Sequence, residues 1–231
     1  MNAASHSTGA AMPAAVSTRA TVLCTIVPVY SRGMPAVTIV NVGYRSTNFW
    51  VVSAGRSRLL VDLGWAGMFG ALQAELRRKS VPLNEITHGF ATHYHIDHGG
   101  CAQDLKNAGM RLIVAPEQIA AIPGMTRWLK PGEPFTPITT GDNLEVACSD
   151  SRALLATLGI SGELIHTPGH SDDSISLLLD SGEVFTGDLT DPRMIAEENP
   201  DLVLNSWRTL FARGANVLYA GHGPIRSMPP L

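Results

Sequence analysis

Runs rich in β-branched and aromatic residues open the chain, helical and strand patterns then alternate, and a second set of strand runs precedes a last helix and strand. TVLCTIVPVY, AVTIV, TNFWVVS and SRLLVDLG read as strands joined mostly in hairpins. MFGALQAELRRK repeats its apolar residues at Met68, Phe69, Leu72 and Leu76, the spacing of one helix face. ITHGFAT is a strand, GGCAQDLKNAG a helix stopped by Gly109, RLIVA a strand, and PEQIAAI a helix opened by proline. After an excursion rich in Pro and Gly, PGMTRWLKPGEPFTP, SDSRALLATLG reads as a capped helix. ELIHT, SISLLLD and EVFTGD are three further strands, PDLVLNSWRTLFARG is a helix, and VLYAGHG is a last strand and loop. This order predicts an α/β fold of two sheets packed face to face with helices outside, built as two similar halves. A doubly wound sheet would set helices between nearly all strands, which the hairpin-rich opening argues against.

With 231 residues, 45% of them hydrophobic, the chain can bury a sizeable core. Residues 1–20 are small and polar and read as a flexible N-terminal extension, leaving 21–231 as a single domain. The net charge is −3, and the densest basic run, Arg77 to Lys79, closes a predicted helix where cations suit the carbonyl end of the dipole. No nucleic-acid or membrane partner is therefore expected; the expected partner is a small-molecule substrate, and a homodimer is admitted. Cys24, Cys101 and Cys148 share no metal-type or disulfide-type spacing and read as small buried thiols. No apolar run approaches the about 20 residues of a membrane span. The first residues lack a basic start followed by an apolar core, so the default compartment is cytoplasmic.

Three of the eight histidines fall within HYHIDH, directly after the strand ITHGFAT and before Gly-Gly. His93, His95, Asp97 and His98 can converge on one point from such a loop. Imidazole with carboxylate suits zinc or iron at neutral pH. Downstream, His170 in HTPGHSDDS, Asp188 in FTGD and His222 in AGHG each follow a glycine near the end of a strand. Seven donors exceed what one tetrahedral ion takes and suit two.

THYHIDHGG, HTPGHSDDS, FTGD and AGHG, in this order, resemble the signature motifs of the metallo-β-lactamase-fold hydrolases, over a stretch from about Thr38 to the C-terminus. The resemblance implies an αββα sandwich of two mixed sheets. It implies that His93, His95 and His170 hold one metal, that Asp97, His98 and His222 hold another, and that Asp188 bridges them. The cofactor is then two divalent ions, zinc first, with iron or manganese as alternatives. Asp62, in LLVDLG, matches a strand-end aspartate that supports the ligands from behind. The activity implied is hydrolysis of an acyl bond in a thioester, lactone or ester by a metal-bridging hydroxide, with Asp97 able to hydrogen-bond that hydroxide.

Departures from subfamily patterns narrow the choice. Asp188 counts against a true β-lactamase, His95 against the diiron redox members, and Asp191 against the homoserine lactonases, which carry tyrosine there. Glyoxalase II-type thioesterases carry a glutathione-binding helical extension after the last histidine; nine residues follow His222 here, so a glutathione thioester is not the expected substrate. A thioesterase-like acyl hydrolase is the leading reading; a mononuclear iron oxygenase of the persulfide dioxygenase type and a lactam-cleaving enzyme are the alternatives. Trp128 and Phe135, in the apolar excursion 123–137, are expected to wall the substrate pocket. His88 and His166 are expected to be structural, Cys101 to pack, and Asp172 and Asp173 to serve the ligand loop or a turn.

Overall fold

The computed structural model describes residues 1, 37–55, 57–195 and 199–231. The run TVLCTIVPVY and nearly all of the expected extension lie outside these residues. Among the described residues, one sheet of six strands runs in the order β1 (Thr38–Asn41), β2 (Trp50–Ala54), β3 (Ser57–Val61), β4 (Ile86–Phe90), β5 (Arg111–Val114) and β6 (Leu144–Glu145). Its first three strands are antiparallel hairpin partners and the rest pair in parallel. The second sheet holds β7 (Gly162–His166), β8 (Ile175–Leu179), β9 (Glu183–Gly187), β10 (Val217–Ala220) and β11 (Arg226–Ser227) side by side in chain order. Only β9 and β10 are parallel there, so both sheets are mixed.

Side-chain alternation along these strands sorts the apolar residues into layers. Trp50, Val52, Leu59 and Val61 of the first sheet pack with Ile175, Leu177, Leu179 and Phe185 of the second. Val51, Leu60 and Leu112 point the other way, onto Leu72 and Leu76 of helix α1 (Phe69–Arg78) and Leu105 of α2 (Ala102–Asn107). Leu178, Val184 and Leu218 cover the far face of the second sheet and meet Val203, Trp207 and Leu210 of α4 (Pro200–Ala212). The layering is helix, sheet, sheet, helix. Helix α3 (Ser151–Thr157) contributes Leu155 to the layer between the sheets.

Two local expectations change. PEQIAAI forms only a 3₁₀ turn, Pro116–Gln118, because the buried Gln118 side chain folds back to accept from Ala115 N (3.2 Å) and donate to Ala91 O (2.8 Å). The excursion after it is not free of regular structure, since Ile122–Trp128 winds as a 3₁₀ helix with a proline in its first turn. The strands β6 and β11 carry no sequence signal, being too short for a period of two to register.

Candidate metal centre

Five strand ends meet in one place. Asp62 follows β3; His93, His95, Asp97 and His98 lie on the loop after β4; His170 follows β7; Asp188 follows β9; His222 follows β10. In sheets of this kind ligands gather beyond the carboxyl ends of strands. Close approach requires glycine at two positions. A Cβ on Gly221 would strike Asp188 Oδ1 and sit 2.7 Å from His98 Cε1. Gly187 has φ +56°, and a Cβ there would strike Thr92 Oγ1.

The seven donors form overlapping groups whose ligand atoms lie within 4.8 Å of one another: His93, His95 and His170; His93, His98 and Asp188; Asp97, His98 and His222. In the first group His95 Nδ1 stands 3.1 Å from His93 Nε2 and 3.2 Å from His170 Nε2. A tetrahedral ion with metal–nitrogen bonds of about 2.0–2.1 Å sets its ligands about 3.3–3.4 Å apart, so these spacings fit one ion. His222 Nε2 stands 3.4 Å from Asp97 Oδ2 and 3.3 Å from Asp188 Oδ2. His98 Nε2 and Asp188 Oδ1 are buried and 3.3 Å apart, yet neither has a hydrogen-bond partner. In the neutral His98 ring with its proton on Nδ1, Nε2 is an acceptor like Asp188 Oδ1; orphaned buried acceptors are rare and costly, and a shared cation satisfies both at once.

The outer contacts set which ring nitrogen faces inward. Asp62, 1% exposed, accepts from Thr92 N (2.7 Å) and Thr92 Oγ1 (2.9 Å) with one oxygen, and from His98 Nδ1 (2.9 Å) with the other. Its φ of 63° is a left-handed conformation uncommon outside glycine, held by these three bonds. The Thr92 hydroxyl, having given its proton to Asp62, accepts from His93 Nδ1 at 3.2 Å. The Ser46 carbonyl accepts from His222 Nδ1 at 2.6 Å. In all three histidines Nε2 is left as the inward nitrogen. Thr47 Oγ1 donates to Asp97 Oδ2 (3.2 Å) and accepts from Trp65 Nε1 (3.1 Å).

Burial pushes the His93 and His95 imidazoles below their ordinary range, helped by neighbouring histidines, which favours the neutral ring a metal needs. Burial opposes charge on His98 too, but Asp62 and Asp188 outweigh it and hold the ring well above the ordinary range. Asp188 and then Asp97 push His222 up to about 10. Burial favours neutral Asp97 and Asp188, yet His222 and His98 hold both below the usual carboxylate range. The carboxylates thus favour a proton on His98 and on His222, and metal binding at these nitrogens would compete with it.

Trp128, 49% exposed, meets His95 edge to face at 5.0 Å and lines a cavity of about 540 Å³ together with Arg127, His170 and Asp173. Phe135 instead packs, half-buried, against the core layer under α1 and α2. His88 lies in β4 beside Thr87 Oγ1, and His166 bonds the Asp172 carbonyl, both outside the cluster. Asp173 accepts from Tyr94 N at 2.8 Å and so braces the ligand loop. The Cys101 thiol donates to Trp65 O, and burial pushes it up to about 12, an inert packing group. Thr47, Thr92 and Ser46 carry no sequence signal of their role; only their places beside the motifs hint at it.

A family model described as the metallo-beta-lactamase superfamily matches residues 42–222. Among curated proteins, the chain is 31% identical over 193 residues to an atrochrysone carboxyl ACP thioesterase of Aspergillus fumigatus, covering 80% of this chain and 39% of that one. It is 29% identical over 188 residues to a protein of the same name from Emericella nidulans, covering 78% and 52%. The chain thus spans about half or less of the length of these relatives. Among solved structures, the BLEG-1 B3 metallo-beta-lactamase superposes with a TM-score of 0.63 at 22% identity, over 84% of this chain and 94% of that one. That likeness is one of fold.

Proposed function

The chain belongs to the metallo-β-lactamase superfamily, and on that premise we propose that it hydrolyses an acyl thioester with two divalent metal ions held by the histidine–aspartate cluster. The observation that carries this reading is the pair of orphaned buried atoms, His98 Nε2 and Asp188 Oδ1, where two of the three donor groups meet. His93, His95 and His170 would hold one ion, Asp97, His98 and His222 the other, and Asp188 would bridge them. Zinc suits this set best, with iron or manganese as alternatives. When bound, such ions lower the pKa of water towards neutrality, polarise the acyl oxygen and accept the leaving thiolate.

The chain's own residues do the rest. Asp62, Thr92 and Ser46 fix the tautomers of His98, His93 and His222. Thr47 holds Oδ2 of Asp97, and the second oxygen of that carboxylate can take the proton of the attacking water. Trp128 offers an apolar wall beside His95 for the acyl group. The relatives named as thioesterases support a thioester over a lactone or lactam; an aspartate at position 188 counts against a lactam, and Asp191 counts against a homoserine lactone.

The test is metal analysis and turnover on one sample. Two ions per chain, proton release on metal binding, and thioester hydrolysis abolished by chelation are expected. One iron per chain with oxygen consumption would replace this reading by an oxygenase, and cleavage of a cephalosporin or lactone in preference to every thioester would replace the substrate.

A further inference from the structure

A cavity of about 690 Å³ is lined by Arg45, Thr47, Asn48, Arg78, Lys79 and His222 among others, with no other member of the metal-centre cluster in its wall. It runs from the candidate metal centre to the C-terminal end of α1. No Asp or Glu side chain lines it, although the chain as a whole carries a net charge of −3. Arg78 is neutralised by Glu75, to which its Nε donates at 2.9 Å. Arg45 lies over the Trp65 ring at 5.1 Å and, like Lys79, makes no ion pair among the described residues. Two cations without a close ion-pair partner among the described residues therefore line one concave surface, which concentrates positive potential there.

The cavity is tied to the metal centre by its own wall. Thr47 pairs its backbone with His222 and donates its hydroxyl to Asp97 Oδ2. Asn48 Nδ2 donates to Ala220 O (3.0 Å) and Gly223 O (2.8 Å), fixing the loop after β1 against the end of β10. At the tip of that loop Arg45 holds φ 57°, a left-handed conformation that turns its side chain over Trp65.

We infer that this cavity receives the phosphate of the leaving group, so that the substrate is an acyl thioester of a phosphorylated thiol arm, the phosphopantetheine borne by coenzyme A or by a carrier protein. The inference rests on the thioesterase reading. The acyl carbon–sulfur bond breaks, water supplies the hydroxyl of the acid, and the remaining proton leaves on the thiol. The acyl group then lies on the Trp128 side of the cluster and the thiol arm on the His222 side, with its phosphate between Arg45 and Lys79. Arginine and lysine are suited to phosphate as fork and point charge respectively.

The experiment is calorimetric binding to the metal-loaded protein at fixed salt, with S-methyl-coenzyme A, S-methyl-phosphopantetheine and S-methyl-pantetheine as probes. The phosphorylated probes should bind at least about tenfold more tightly than S-methyl-pantetheine, the scale of a charge-assisted contact. Arg45→Ala/Lys79→Ala should erase that advantage, and Arg45→Lys/Lys79→Arg should keep it. Equal affinities for all three probes, or an advantage that survives the alanine pair, overturns the assignment. Similar affinity for the two phosphorylated probes assigns the cavity to the arm's own phosphate, and a large excess for S-methyl-coenzyme A assigns it to the nucleotide. Thioester turnover without phosphate preference sinks this inference alone, and phosphate-dependent binding without turnover of any thioester sinks the thioesterase reading beneath it.

Discussion

Asp62 accepts a hydrogen bond from Nδ1 of His98 at 2.9 Å, and both side chains are closed to solvent, 1% and 0% exposed. The carboxylate stands behind the ring and leaves Nε2 as the only nitrogen that can face the cluster. Asp62→Asn keeps the size and tolerates the left-handed backbone, but it weakens the acceptor. Metal affinity is expected to fall about 10- to 100-fold, measured by competition with a chromogenic chelator. Unchanged affinity would make Asp62 a turn residue and nothing more.

Loss of a donor should remove metal before it removes fold. His93→Ala is expected to abolish hydrolysis and lower metal content. Asp188→Asn should lose at least one ion and about 100-fold or more in rate, since several kcal/mol of transition-state stabilisation depends on it. Full activity with two ions in either variant would sink the ligand assignment.

Gly221 is packed so tightly against Asp188 and His98 that an added methyl must displace one of them. Gly221→Ala should cost about 1–3 kcal/mol of stability and reduce metal stoichiometry. Thermal unfolding and metal analysis on one preparation check it, and an unaltered ion count would show that the loop simply yields.

Trp128 is half exposed and contacts His95, so its removal should leave metal content and stability nearly unchanged. Trp128→Ala is expected to raise KM for the preferred thioester about 2- to 12-fold, the worth of an aromatic contact of about 0.5–1.5 kcal/mol. A fall in melting temperature with unaltered kinetics across a series of acyl chains would mean that the ring only packs.

Asp191 is buried and accepts from Arg193 Nε (2.9 Å), Arg193 Nη2 (2.8 Å) and Arg226 Nη1 (2.8 Å), tying the loop after β9 to β11. The Arg193 hydrogen bonds outweigh burial and, with Arg226, hold the carboxyl well below its ordinary value of 3.8. A depressed carboxyl binds protons more weakly folded than unfolded, so its stabilisation is present in full above that ordinary value and fades as pH falls below it. Asp191→Asn should therefore destabilise the protein at neutral pH, with the gap to wild type closing on acidification towards the acid limit. A gap constant with pH would exclude the charge as its source.

The seven side chains that gather in the cluster were legible as candidate donors because each sits in a short motif at a strand end, where the residue types suit metal binding. The layering was legible because two sets of apolar strand runs flank the helical stretches, with β2 and β8 buried along their whole length, and α1 and α4 keep helical spacing. What escaped is what depends on long-range contact. Thr92 is an ordinary residue until Asp62 meets it from another strand, and Phe135 looks like a pocket wall until the chain folds it onto the core. The helical reading of PEQIAAI failed because Gln118 finds its bonds in the loop after β4 rather than along a helix. The cavity beyond His222 draws its cations from the loop after β1 and the end of α1, two stretches with no common motif.

Each of the three donor groups takes two members from the loop after β4 and one from the second half of the chain: His170, Asp188 or His222. Cut between the two sheets, one fragment would keep four of the donors and the other three, neither would own a complete set, and each would bind a divalent cation only loosely. Tight capture would return when the fragments reassociate. On the two-metal reading the ion would then report the reunion of two polypeptide halves, and the proposed chemistry would be switched on by the same event that completes the architecture.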